Sequence, residues 1–129
     1  MSIYCDENTK VIYQGYSPGR PGAFYAGTNR EYGTKVVGGV NPGRAGQEHE
    51  GIPIFGSVKD AIEKTGANAP CVFVPAQGTA SAVMEAAEAG ILAPEPLYTH
   101  RYPLSRLGEA LDATRDHPEG FVKALVTMP

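Results

Sequence analysis

The sequence contains no run of basic residues and has a formal net charge of only −3. That removes the electrostatic footprint expected of a nucleic-acid binder. No apolar stretch is long enough to span a bilayer, and the N-terminus has neither a signal-type apolar segment nor an Arg-rich transit pattern. Cysteine is scarce. Cys5 and Cys71 stand far apart and read as reduced thiols, Cys71 as a small core residue inside an apolar run. No Cys/His cluster has metal-ligand spacing, and no internal repeat or low-complexity segment is present. These absences leave a soluble, cytoplasmic protein (mitochondrial matrix if eukaryotic and processed), with no nucleic acid, membrane or metal among its partners. At 129 residues the chain reads as one domain, large enough for a core but small for a complete doubly wound enzyme.

What is present centres on Lys10 to Tyr25, KVIYQGYSPGRPGAFY. A short apolar strand, Val11-Ile12-Tyr13, breaks into a turn holding Gly15, Gly19 and Gly22, and a helical run begins at Ala23. Strand, glycine turn and helix is the arrangement that brings backbone N–H groups and a positive helix end to a phosphate.

Strand and helix signals then alternate. A helix is expected from Ala23 to Tyr32, ended by Gly33, and a strand from Lys35 to Val40, whose paired glycines suggest close approach of another backbone or a ligand. Asn41 to Gly51 reads as an irregular polar loop and Ile52 to Phe55 as extended. Ser57 and Asp60 form an approximate capping box for a helix through Lys64, which Gly66 stops. Cys71 to Val74 is a continuous apolar run, expected to be a strand buried on both faces, and Thr79 is expected to cap a helix from Ala80 to Ala89. Leu92 to Pro103, with three prolines, is expected to be irregular. An amphipathic helix should span Ser105 to Arg115, with Leu104, Leu107 and Leu111 at helical spacing, and a final strand Phe121 to Thr127. The sum is a Rossmann-like α/β fold, a mainly parallel sheet between layers of helices.

The glycine spacing is G-x-x-x-G-x-x-G rather than the G-x-G-x-x-G of the dinucleotide fingerprint, so a structural turn and a phosphate site both remain open. A dinucleotide site also calls for a carboxylate after the second strand to hold the ribose diol. That region here is Val40-Asn41-Pro42-Gly43-Arg44, without a carboxylate and with Lys35 and Arg44 as the neighbouring cations. This disfavours NAD and leaves a phosphorylated nucleotide such as coenzyme A, or NADP.

From Met1 to about Ile91 the residues resemble the N-terminal coenzyme A-binding domain of the succinate–CoA ligase alpha subunit. The blocks that carry the resemblance are Asn8 to Tyr16, Tyr32 to Lys35, Val37 to Arg44, His49, Gly51 to Phe55, and Val72 to Ala76. The resemblance implies that the Ser17 to Gly22 turn receives coenzyme A phosphates, that Lys35 pairs with the nucleotide end, and that Val74, Pro75 and Ala76 line the pocket. The implied binding residues are therefore Gly15, Ser17, Gly19, Arg20, Gly22, Lys35, Val74, Pro75 and Ala76, with no catalytic residue among them.

The chain departs from that family in three respects. Its turn is one residue longer and carries Pro18 and Pro21, the latter without an N–H to offer a phosphate. The family's next strand, with its acidic residue, is not matched after Ile91. The second domain, which bears the histidine phosphorylated during turnover, has no counterpart, and His49, His100 and His117 stand in other contexts. The segment from Thr99 onward resembles instead the C-terminal end of zinc-type medium-chain alcohol dehydrogenases, a helix and closing strand without zinc ligands. Two signatures meeting near residues 91 to 98 suggest a composite chain. The expectation is a noncovalent coenzyme A-binding domain that does not act as a ligase alone. An NADP-binding domain and a ligand-free scaffold are the alternatives, and a homodimer is plausible in each case.

Overall fold

A computed structural model describes residues 5–92 and 95–128. The chain divides into two compact units, the division falling after Leu92, where the sequence had suggested one domain.

In the first unit β1 (Lys10–Gln14) leads through the glycine turn into α1 (Pro21–Glu31), followed by β2 (Lys35–Val40). Two short strands, β3 (Glu48–His49) and β4 (Ile52–Phe55), precede α2 (Val58–Thr65), β5 (Ala69–Val72) and α3 (Ala76–Glu88). The expected capping of α2 is present: Ser57 accepts from the Asp60 N–H at 3.1 Å. At the other end Gly66 takes the left-handed conformation, φ 68°, and its N–H donates to the Ile62 carbonyl. That pairing of a serine start with a glycine stop satisfies backbone groups the helix cannot satisfy internally.

The sheet order is β3-β4-β2-β1-β5. β1 runs parallel to both β2 and β5, β2 parallel to β4, and only β3 is antiparallel to its neighbour. Successive residues of β1 point to opposite faces, and the core divides accordingly. Ile12 joins Val40, Phe55, Val58 and Ala61 on the α2 side. Tyr13 joins Tyr16, Ala23, Ala26, Ile52 and Ile54 on the α1 side. The result is the Rossmann-like, helix–sheet–helix arrangement that the alternation of signals implied.

Several details differ from the sequence reading. The run Cys71 to Val74 is not a fully buried strand: β5 ends at Val72, lies at the edge of the sheet, and its residues are half-buried. Thr79 does not cap a helix; α3 starts at Ala76, and the Thr79 hydroxyl donates to the Pro75 carbonyl from inside the first turn. Pro75, in an extended conformation, sets the start, and Gly78 is tolerated within the helix. The supposedly irregular loop after β2 contains a 3₁₀ turn (Pro42–Arg44) as well as β3. The close approach at Gly38 and Gly39 comes from side chains, the rings of Phe55 and Tyr16.

The second unit is a compact β-α-β: β6 (Tyr98–Pro103), a 3₁₀ turn (Leu104–Arg106), α4 (Leu107–Asp116) and β7 (Lys123–Thr127). β6 and β7 pair in parallel as a two-stranded sheet. Where the register slips between Tyr98 and His100, the Thr99 hydroxyl accepts from the Val122 N–H at 2.9 Å. The irregular segment expected over Leu92 to Pro103 is thus largely a 3₁₀ turn (Glu95–Leu97) and a strand, residues 93–94 lying outside the described residues. Pro96 and Pro103 sit beside and at the end of the strand, where a missing N–H is harmless, while alternate residues of the strand point inward. The leucine stripe is also corrected. Leu104, Leu107 and Leu111 are exposed, and α4 buries Ala110 and Ala113 instead. Small side chains let the helix lie close to a sheet of only two strands.

Candidate functional site

In the first unit the chain steps outward from β1 through β2 to β4, then returns to the other side of β1 for β5. The reversal leaves a crevice at the carboxyl ends of β1 and β5, the place where open α/β sheets take ligands. A cavity of about 810 Å³ lies there, within the size range of small-molecule and cofactor sites. Its walls are the turn after β1 (Gly15, Ser17, Arg20, Pro21), the end of β2 (Val40, Asn41, Pro42) and the exit of β5 (Val72 to Pro75). Gln14, Ala82 and Glu85 complete the lining.

The turn is held on both flanks. The Gly15 and Tyr16 N–H groups both donate to the Val40 carbonyl, at 2.9 and 3.3 Å. Gly15 has φ 80°, and a Cβ there would lie 2.6 Å from the Phe73 carbonyl oxygen, so conformation and contact both require glycine. Ser17 accepts from the Arg20 N–H at 3.1 Å. Pro18 second and Gly19 third, with φ 71°, is the composition of a type II turn. Pro21 is the first residue of α1, where a missing N–H removes no intrahelical bond. Both prolines of the lengthened turn therefore sit where backbone geometry favours them.

Beneath the turn, Phe73 stacks with Tyr13 and Tyr25, ring centroids 5.6 and 5.4 Å apart. Gly22 is buried against it, and a Cβ at that position would lie 3.1 Å from the Phe73 Cβ. Burial pushes the Tyr13 and Tyr16 hydroxyls and the Cys71 thiol above their ordinary pKa values, because desolvation disfavours the charged forms.

Of the residues implied by the sequence, the structure brings Gly15, Ser17, Arg20, Val74 and Pro75 to this cavity. Gly19 faces a neighbouring cavity of about 720 Å³ along α1, which Arg20 also borders. Gly22 acts in helix–strand packing, and Ala76 is exposed at the first position of α3. Lys35 does not line this cavity. It opens β2 opposite Lys10 in the register, and its ammonium donates to the Glu7 carbonyl. Five residue steps of strand, roughly 16 Å at about 3.3 Å each, separate it from Val40 at the cleft end. Arg44 follows the carboxyl end of β2 in the 3₁₀ turn, and its guanidinium donates to the Gln47 side chain at 3.2 Å.

Sequence reasoning did not single out Asn41, Gln14 or Glu85. The Asn41 side chain donates to the Tyr16 carbonyl at 2.9 Å and accepts from the Gly43 N–H at 3.1 Å, clamping the glycine turn to the end of β2. An asparagine ahead of Pro-Gly is a readable signal for such an Asx turn. Gln14, a polar residue closing an apolar strand, also left a trace in the sequence. Glu85 left none: its carboxylate accepts from the Val58 N–H at 2.8 Å, and its partners are distant in the chain.

A glycine turn and a helix N-terminus at a topological switch point define a nucleotide-cofactor type of α/β domain, with no metal-ligating cluster among the described residues. The comparison with known families is specific. Residues 6–93 match the family described as "CoA binding domain", and the chain belongs to that family. It is 50% identical over 91 residues to the succinate–CoA ligase [ADP-forming] subunit alpha of Aquifex aeolicus, covering 70% of this chain and 30% of that one. It is 47% identical over 91 residues to the malate–CoA ligase subunit alpha of Methylorubrum extorquens, with the same coverage. The chain thus spans about 30% of the length of these relatives. Among solved structures, a conserved hypothetical protein from Pyrococcus furiosus matches with a TM-score of 0.53 at 21% identity, over 92% of both chains. At that identity the likeness concerns the fold.

Proposed function

We propose that the chain binds coenzyme A noncovalently in the cleft between the β1 turn and the exit of β5, and lacks a complete ligase active site of its own. The observation that carries this is that Ser17, Arg20 and Pro21, the last being the first residue of α1, line a cavity at the switch point. Phosphates fit there because a helix N-terminus and a guanidinium both favour negative charge. Arg44, at the carboxyl side of β2, takes the place proposed from sequence for Lys35 as the cation for the nucleotide end. The residue after β2 is Asn41, whose amide is committed to Tyr16 and Gly43. No carboxylate stands there for a ribose diol, which supports coenzyme A, or NADP as the alternative, over NAD. When bound, coenzyme A supplies a thiol that carries acyl groups, and the residues of this chain would hold and orient it.

The family match ends at residue 93, where the second unit begins. This supports a composite chain in which the dehydrogenase-like segment adds scaffold without activity. A homodimer pairing an end strand of the sheet, β3 or β5, belongs to the same proposal. The direct test is titration calorimetry with coenzyme A, dephospho-coenzyme A, NAD and NADP. Coenzyme A is expected to bind, and more weakly without its 3′-phosphate. Tighter binding of NADP would favour the nicotinamide alternative. No heat with any of the four, from a cooperatively folding chain, would leave a ligand-free scaffold.

A further inference from the structure

Gln14 closes β1 at the cleft and is only 2% exposed. Its Nε2 donates to the Ala82 carbonyl at 2.9 Å and lies 3.5 Å from the Glu85 carboxylate. Those two acceptors fix the orientation of the amide, since the reverse would set its oxygen against the Ala82 carbonyl. The Gln14 Oε1 is then a buried acceptor without a hydrogen-bond partner among the described residues. Such an atom in a native core calls for an explanation, because its lost hydration is uncompensated. Glu85 is itself tethered, accepting from the Val58 N–H at 2.8 Å, and both residues border the 810 Å³ cavity. This part of the cleft therefore offers acceptors and a negative charge. A phosphate would meet repulsion from Glu85 and could bring no proton to Gln14; an uncharged N–H group meets neither obstacle.

We propose that this part of the cleft is a subsite for an uncharged N–H group of the ligand, accepted by Gln14 Oε1, with Glu85 keeping anions toward the glycine turn. The proposal rests on the coenzyme A reading above. Coenzyme A carries two sources of that chemistry, the exocyclic amine of adenine and the amide N–H groups of the pantetheine arm.

Calorimetry on the full chain and its Gln14→Met variant separates them, using coenzyme A, 3′-phosphoadenosine 5′-phosphate (adenine without the arm) and 4′-phosphopantetheine (the arm without adenine). The substitution is expected to weaken coenzyme A roughly three- to tenfold, the worth of one neutral hydrogen bond. It should weaken one fragment by the same factor and leave the other unchanged, and the affected fragment names the source. Equal weakening of both fragments would indicate a general disturbance of the cleft, and no weakening would indicate no ligand contact; either overturns the subsite. If Gln14→Met does not fold, the unaltered chain is titrated with ligands methylated at the adenine amine or at the arm amides. A loss confined to one ligand supports the subsite, and unchanged affinity for both overturns it. Failure of the unaltered chain to bind coenzyme A overturns the cofactor reading and the subsite with it, whereas binding without dependence on Gln14 overturns the subsite alone.

Discussion

Gly15 and Phe73 meet where β1 and β5 leave the sheet: a Cβ on Gly15 would lie 2.6 Å from the Phe73 carbonyl oxygen. Because Gly15 also has φ 80°, any side chain there strains the backbone and pushes the two cleft walls apart. Gly15→Ala should cost about 2–4 kcal/mol, combining left-handed strain with overpacking. Gly19→Ala, with similar φ but open space around it, should cost only about 1 kcal/mol. Urea denaturation of the two variants checks the difference, and equal losses would remove the contact from the explanation.

Glu85 links α3 to the start of α2 through the Val58 N–H and stands beside Gln14. Glu85→Ala leaves a helix-end N–H unpartnered and should destabilise the first unit by about 1–3 kcal/mol. Glu85→Gln keeps an acceptor for Val58 and should lose less. Equilibrium unfolding of both variants tests the order, which reverses if Glu85 is merely a solvated surface charge.

Arg44 and Lys35 lie toward opposite ends of β2. Arg44→Ala should weaken coenzyme A about fivefold, one partly solvated charge contact, and should flatten the salt dependence of binding. Lys35→Ala should leave affinity unchanged. The opposite result, loss with Lys35→Ala alone, would return the cofactor to the position inferred from sequence.

Buried Tyr13 and Tyr16 and half-buried Cys71 all have pKa values raised chiefly by desolvation. Above the unfolded thiol value of about 8.5 and the phenol value of about 10, the unfolded chain releases protons that the folded chain retains. Their contribution to stability is therefore fully present below that range and is lost as pH rises through it. The urea midpoint should fall between about pH 9 and 11, and less steeply in Cys71→Ala. An unchanged slope in that variant would show that Cys71 is not desolvated as described.

Local signals carried most of the first unit. Lys35 to Val40 has the bounds expected of it, and Ser57 and Gly66 delimit α2 as their side-chain and backbone chemistry requires. The errors arose where a local pattern admits two environments. An apolar run such as Cys71 to Val74 does not reveal whether it is central or at an edge. Leucines at helical spacing marked α4 as a helix, but the alanines beside them face inward. The glycine turn was legible as a motif, whereas proximity along a strand says nothing about which end of the sheet holds the cleft, and Lys35 lies at the far end of β2.

The sequence alone determined the alternation of strands and helices, the caps of α2 and the glycine turn, because each depends on residues within a few positions of one another. Only the tertiary structure decided that Lys35 lies at the end of β2 away from the cleft, that Asn41 clamps the turn, and that Gln14 and Glu85 border the cleft. Those relationships join residues up to 71 positions apart. They arise when parallel strands fix which ends come together, a choice made by packing across the whole sheet.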